Sequence, residues 1–186
     1  MGGVFDDDPY RNPLAGANLA YVGYCTSDAY AGDTGATSAT AGLAFRGGHT
    51  VQAILTSLAR VHGLGTTGTP EQVILAGCAA GGRGVLYNID YAGQYVARSV
   101  TVRALIDSAV WLDVPPLSGA SGMTLQEETA QMLDFTNASG RLSPGCAAQY
   151  TGDEAWKCLY GACAAPCPWD GDVSNAAGDR WCPPPL

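Results

Sequence analysis

Basic residues are scarce in this sequence. Nine Lys and Arg stand against seventeen Asp and Glu, a formal net charge of −8 over 186 residues. Such a surface repels phosphate backbones, and no cluster of Lys and Arg offsets it, so nucleic acid is excluded as a partner. Histidine is nearly absent, at two residues, His49 and His62. Long apolar runs are missing as well. None approaches the roughly 20 residues that a membrane-spanning helix requires. The N-terminus shows no basic stretch followed by an apolar one, so no signal peptide is visible. Asp6 stands where the myristoylation pattern needs Ser or Thr. Charged residues reach only 14% while hydrophobic residues reach 47%, a balance that argues against extended disorder and for one domain with a real core.

Glycine, by contrast, is plentiful at 25 residues and proline stands at 11, which predicts frequent tight turns. Seven cysteines favour an oxidising, extracellular or secretory-pathway compartment. Asn137-Ala138-Ser139 is a glycosylation acceptor pattern and points the same way. An odd cysteine count without a leader is the expectation for an internal piece of a longer secreted protein.

Residues 1–17 read as loop, and residues 19–24 as a short buried strand. Residues 26–42 are rich in Gly, Ser, Thr and Asp and read as loop. Val51, Ile54, Leu55, Leu58 and Val61 recur at helical spacing, which predicts a helix over 48–62. Val73-Ile74-Leu75-Ala76 marks a second buried strand over 71–76, followed by a sharp Gly-rich turn at 77–84. A helix from 85 to about 99 and a β-branched third strand over 100–106 complete an alternating order. Strand, helix, strand, helix, strand predicts an α/β fold, a mostly parallel sheet with helices on both faces. A further helix is expected over 125–135, with Thr124 as N-cap and Glu127 three residues on, a capping box.

The informative segment is Gly77-Cys78-Ala79-Ala80-Gly81-Gly82. An α/β-hydrolase sets its nucleophile in Gly-x-Ser-x-Gly between a strand and a helix, on a turn so tight that small residues must flank it. Gly77 and Gly81 occupy the glycine positions, and Ala79 stands where the serine belongs. Alanine offers no oxygen to attack an ester. Cys78 is one residue off, and its side chain is expected to point away from the tip into the packing beneath, as an inert buried thiol. On its own, without a serine, the segment reads first as an ordinary Gly-rich strand-to-helix turn.

Its surroundings resemble the pectin acetylesterase and Notum-type carboxylesterase family. Gly23-Tyr24-Cys25-Thr26-Ser27-Asp28 is similar to that family's Tyr-Cys-Ser-Ser-Asp segment, and Phe45 to Ala53 looks like the helix entry that follows it. Residues 75–82 resemble the Gly-Cys-Ser-Ala-Gly-Gly elbow, and residues 85–90 continue in register. Ile106-Asp107-Ser108-Ala109-Val110-Trp111-Leu112-Asp113 matches the segment after the next strand. Cys146 to Cys158, with Glu154, Trp156 and Tyr160-Gly161, looks like the family's cysteine-bounded block.

The resemblance implies a partial α/β-hydrolase over residues 1–162, with a Pro/Cys-rich irregular tail over 163–186. It implies serine-based deacylation of O-acetyl or O-acyl esters on polysaccharide or protein, with no cofactor and no metal. Acylated saccharide or acylated protein is the implied ligand, and the oligomeric state is left open. Ala79 maps onto the nucleophile and the N–H of Ala80 onto an oxyanion donor, so the chain is expected to be inactive. The family's upstream Gly-Gly-Trp-Cys loop and its later acid and base have no counterparts here. A non-catalytic acyl- or glycan-binding module is the alternative. The family also implies a Cys146–Cys158 disulfide and an upstream partner for Cys25 that this chain lacks, which leaves Cys25 free.

Other candidates carry blander readings. His49 is read as structural, since catalysis would demand an orienting acid and a nucleophile within reach. His62 is read as a surface residue at a helix C-terminus. Asp107 is read as shaping the pocket or turn, and Trp111 as lining a pocket or filling the core. Cys163, Cys167 and Cys182 lack a neighbouring His, which favours disulfides or disorder over zinc.

Overall fold

The computed structural model describes residues 5–109 and 122–159. Trp111 and the segment 160–186, with its three cysteines, lie outside the described residues. The element order is α1 (Gly47–Val61), β1 (Glu71–Cys78), α2 (Ala80–Ala92), β2 (Val100–Asp107), α3 (Leu125–Phe135) and α4 (Pro144–Gln149). Two 3₁₀ turns, Ala138–Arg141 and Gly152–Leu159, flank α4.

β1 and β2 pair in parallel, from Glu71 opposite Val100 to Cys78 opposite Asp107. The connection between them is α2, the crossover that parallel neighbours require. Seven of its residues are buried, which makes α2 the central helix. It starts at Ala80, five residues before the predicted start, and ends at Ala92, short of the predicted 99. Three glycines concealed that beginning, because glycine costs about 1 kcal/mol in a helix. Here packing outweighs propensity. A Cβ on Gly82 would press on the Ala109 side chain, and one on Gly84 on the Tyr30 ring.

Residues 19–24 are not a strand. Their sequence suits one, but a strand needs a hydrogen-bonded neighbour. Among the described residues β1 and β2 bond only to each other. The sheet is covered on one face by α2. Its other row, including Ile74, Cys78 and Leu105, is exposed. Helices on both faces are therefore not seen among the described residues.

α3 follows the prediction. The Thr124 hydroxyl accepts from the Glu127 N–H, and the Glu127 carboxylate accepts from the Thr124 N–H at 2.7 Å. The principal buried cluster contains no residue of β1 or β2. It joins Tyr87 of α2, Leu133 of α3, Leu142, Trp156 and Leu159. Cys146 and Cys158 are disulfide-bonded with Cα atoms 5.7 Å apart, tying α4 to the turn that carries Trp156.

α1 is fixed from nineteen residues upstream. Asp28 is fully buried, and its carboxylate accepts from the N–H groups of Tyr30 (2.9 Å), Gly32 (3.1 Å) and Gly47 (2.7 Å), and from the Thr26 hydroxyl (2.5 Å). A carboxylate on the first N–H of a helix satisfies an orphan donor and opposes the positive end of the dipole. That contact is the physical link between the Tyr24–Asp28 block and the Phe45–Gly48 block.

Candidate functional site

β1 delivers its last residue, Cys78, and the chain reverses into α2 at Ala79. Ala79 has φ 51° and ψ −117°, a conformation that residues with a Cβ rarely adopt. Strain of this kind costs on the order of 1–3 kcal/mol and persists only where the surroundings impose it. Two contacts impose it here. The Ala79 N–H donates to the Asp107 carbonyl of β2 at 3.0 Å, and the Ala79 carbonyl accepts from the Arg83 N–H at 3.0 Å. The residue thus closes the sheet on one side and opens the helix on the other.

The flanking glycines differ in what they do. A Cβ on Gly77 would overlap the carbonyl group of Gly81, so only glycine fits there. A Cβ on Gly81 would meet nothing within 4 Å among the described residues, contrary to the expectation that both positions must be small. Ala79 is exposed and Ala80 half-buried. The first turn of α2 leaves its N–H groups, Ala80's among them, without intrahelical acceptors.

Cys78 corrects another expectation. Its thiol is free and exposed rather than packed beneath the turn. The strand alternates, so Gly77 faces α2 and Cys78 faces the uncovered side of the sheet. Cys25 is free, as expected, and also exposed.

β2 ends beside the turn. Asp107 is the register partner of Cys78, and both Asp107 and Ser108 are exposed. The Ser108 hydroxyl donates to Asp107 Oδ1 at 2.9 Å, and Ser108 itself has φ 53°. Two left-handed, non-glycine residues therefore mark the carboxyl ends of two adjacent parallel strands. Open α/β sheets bind ligands at such ends.

A loop braces the turn from behind. The Asn88 side chain donates to the Tyr30 carbonyl at 2.8 Å and to the Gly84 carbonyl at 2.9 Å, while its oxygen accepts from Arg141 at 3.1 Å. Burial raises the Tyr30 phenol above its ordinary range, with Tyr24, Tyr21, Cys25 and Asp28 adding to the shift. Tyr87 accepts from the Arg83 guanidinium at 2.6 Å and donates to the Leu159 carbonyl at 2.8 Å. Burial pushes its phenol up to about 12, against a smaller opposing pull from Arg83.

His49 stands on α1, and its Nε2 shares a hydrogen bond of 2.5 Å with Asp33. An orienting acid is therefore present, and sequence reasoning missed it because Asp33 sits in a loop without a motif. Neither His49 nor Asp33 belongs to β1, β2 or α2. His62 caps the C-terminal end of α1 and is exposed, as expected. Among the described residues no group of three His, Cys, Asp or Glu could hold a metal ion, and no helix is long and apolar enough to cross a membrane.

A strand, a strained one-residue turn and a helix crossing back to a parallel neighbour define a partial α/β-hydrolase. The pectinacetylesterase family profile matches residues 1–167, and the chain belongs to that family. The palmitoleoyl-protein carboxylesterase notum2 of Xenopus laevis is 33% identical over 165 residues, covering 84% of this chain and 32% of the relative. Pectin acetylesterase 5 of Arabidopsis thaliana is 27% identical over 160 residues, covering 85% and 35%. The solved structure of the Wnt deacylase Notum from Drosophila superposes with a TM-score of 0.77 at 28% identity, over 89% of this chain and 48% of that one. The chain thus spans about a third of these curated relatives and about half of the solved chain.

Proposed function

We propose that this chain is a carboxylic-ester hydrolase family member that keeps the ester-binding turn but does not turn the ester over. The observation that carries the reading is Ala79, a methyl group at the strained strand-to-helix junction. Relatives named as carboxylesterases and acetylesterases motivate the ester as ligand, an O-acyl group on saccharide or protein. In this reading the N–H of Ala80 receives the ester carbonyl oxygen, since orphan N–H groups at a helix start attract developing negative charge. No hydroxyl stands at residue 79 to form an acyl intermediate. The sequence holds two histidines, and both lie on or at the end of α1. The Cys146–Cys158 disulfide and the family suit an extracellular setting.

The alternative reading, a dedicated acyl- or glycan-binding module, is favoured by the exposure of Ala79, which leaves the turn open to a ligand. Incubation with p-nitrophenyl acetate and with an acetylated polysaccharide tests the inactivity. No acetate release above the buffer rate is expected. Turnover that survives Cys78→Ala would overturn the reading.

A further inference from the structure

We propose that Asp107 and Ser108 form a hydroxyl-recognising subsite beside Ala79, which selects an O-acylated saccharide over an O-acylated protein. The inference rests on the reading of the Ala79 turn as the ester-binding position and deepens it.

The placement comes from the register. Asp107 lies opposite Cys78, and its carbonyl holds the Ala79 N–H at 3.0 Å, so the pair sits one strand away from the turn. The orientation comes from packing. Ala109 is buried, and Gly82 lies so close to it that a Cβ there would stand 2.6 Å from the Ala109 side chain. Turning Ala109 inward leaves Ser108 in the left-handed region at φ 53°, with its side chain exposed. Glycine, asparagine or aspartate would take that conformation at less cost. Serine adds a hydroxyl.

The chemistry follows from the hydrogen bond. The Ser108 proton is committed to Asp107 Oδ1 at 2.9 Å. What remains at the surface is acceptor capacity: the hydroxyl lone pairs of Ser108 and the rest of the Asp107 carboxylate. Neither residue forms an ion pair among the described residues. Such a pair calls for a ligand with two neighbouring O–H donors, and O–H to carboxylate bonds are among the stronger kind. An esterified saccharide keeps free hydroxyls beside the acylated one. A protein Ser or Thr spends its single hydroxyl on the ester, and the donors left beside it are amide N–H groups, which make longer bonds to a carboxylate than O–H donors do.

The test is a titration of the ¹⁵N-labelled chain, following amide shifts at residues 79–82 and 107–109. The probes are partially O-acetylated xylotetraose, peracetylated xylotetraose, which has no free hydroxyl, and an O-octanoylated serine peptide. The wild type is expected to bind the partially acetylated sugar more tightly than the other two. Asp107→Asn should weaken that complex about tenfold, matching the loss of one charged hydrogen bond. Ser108→Gly should weaken it about threefold by the loss of a neutral one, and because glycine relieves the backbone this variant guards against misfolding. Peracetylated sugar should bind all three proteins alike. Binding of the partially acetylated sugar that is unchanged in both variants would overturn the subsite alone. So would a preference for the acyl peptide that is indifferent to Asp107. No shift with any probe in the wild type would sink the underlying reading of the turn instead.

Discussion

The Ala79 N–H donates to the Asp107 carbonyl at 3.0 Å. This one bond carries β1 past its last regular ladder pair and holds the strained residue against the neighbouring strand. The turn is therefore rigid for a reason that does not involve the side chain at 79. A methyl group can occupy it as readily as a hydroxymethyl group, and the geometry outlasts the chemistry.

That strain is measurable. Ala79→Gly removes the Cβ from a backbone at φ 51° and ψ −117°. The gain from relieved strain, on the order of 1–3 kcal/mol, is partly offset by the greater freedom of glycine in the unfolded chain. A net rise of about 1 kcal/mol in unfolding free energy is expected in urea titrations. A loss instead would mean that the backbone at 79 is relaxed.

The two flanking glycines should respond in opposite ways. Gly77→Ala drives a methyl into the carbonyl of Gly81 and must displace the start of α2. A cost of about 3 kcal/mol or more is expected. Gly81→Ala meets open space and replaces glycine by the best helix former, a gain of up to about 1 kcal/mol. Paired thermal melts check the contrast. Equal destabilisation by both would contradict the packing.

Tyr87 gives the fold an alkaline limit. Its phenol is pushed up to about 12 by burial, above the ordinary value near 10. A raised folded value means that stability is intact below pH 10. It is lost as pH climbs toward 12, where the unfolded phenol ionises and the folded one does not. The loss at the top of that window is on the order of 2–3 kcal/mol. Tyr87→Phe should flatten this decline while lowering stability at pH 7, because the Leu159 carbonyl and Arg83 each lose one hydrogen bond. Denaturant midpoints from pH 8 to 12 provide the readout.

The Cys146–Cys158 bond closes a short loop, with a sequence separation of 12. Double replacement by serine should cost about 3 kcal/mol through the freedom returned to the unfolded chain. Trp156 lies two residues before Cys158 and is buried in the principal cluster. Its fluorescence should therefore shift red in the reduced protein at lower urea than in the oxidised one. Coincident unfolding curves would show that the bond adds nothing.

Sequence legibility followed the range of the forces involved. The span of β2 and the capping box of α3 rest on neighbours within a few residues, so periodicity and local side-chain chemistry revealed them. The start of α2 did not show, because Gly82 and Gly84 answer to Ala109 and Tyr30 rather than to helix propensity. The six residues 19–24 looked like a strand because composition reports suitability for a sheet and is silent on whether a partner lies alongside.

By itself, the sequence determined that residue 79 has no hydroxyl, that only two imidazoles exist, and that Gly77 and Gly81 bracket the turn. Those are matters of covalent identity. Only the tertiary structure decided that Gly77 is sterically required while Gly81 is not, that Cys78 faces outward, that Asp33 reaches His49, and that the Asp107 carbonyl of the neighbouring strand holds Ala79. Each of these depends on which atoms meet across a sheet or between elements, and such meetings are set by packing, which no local run of residues encodes.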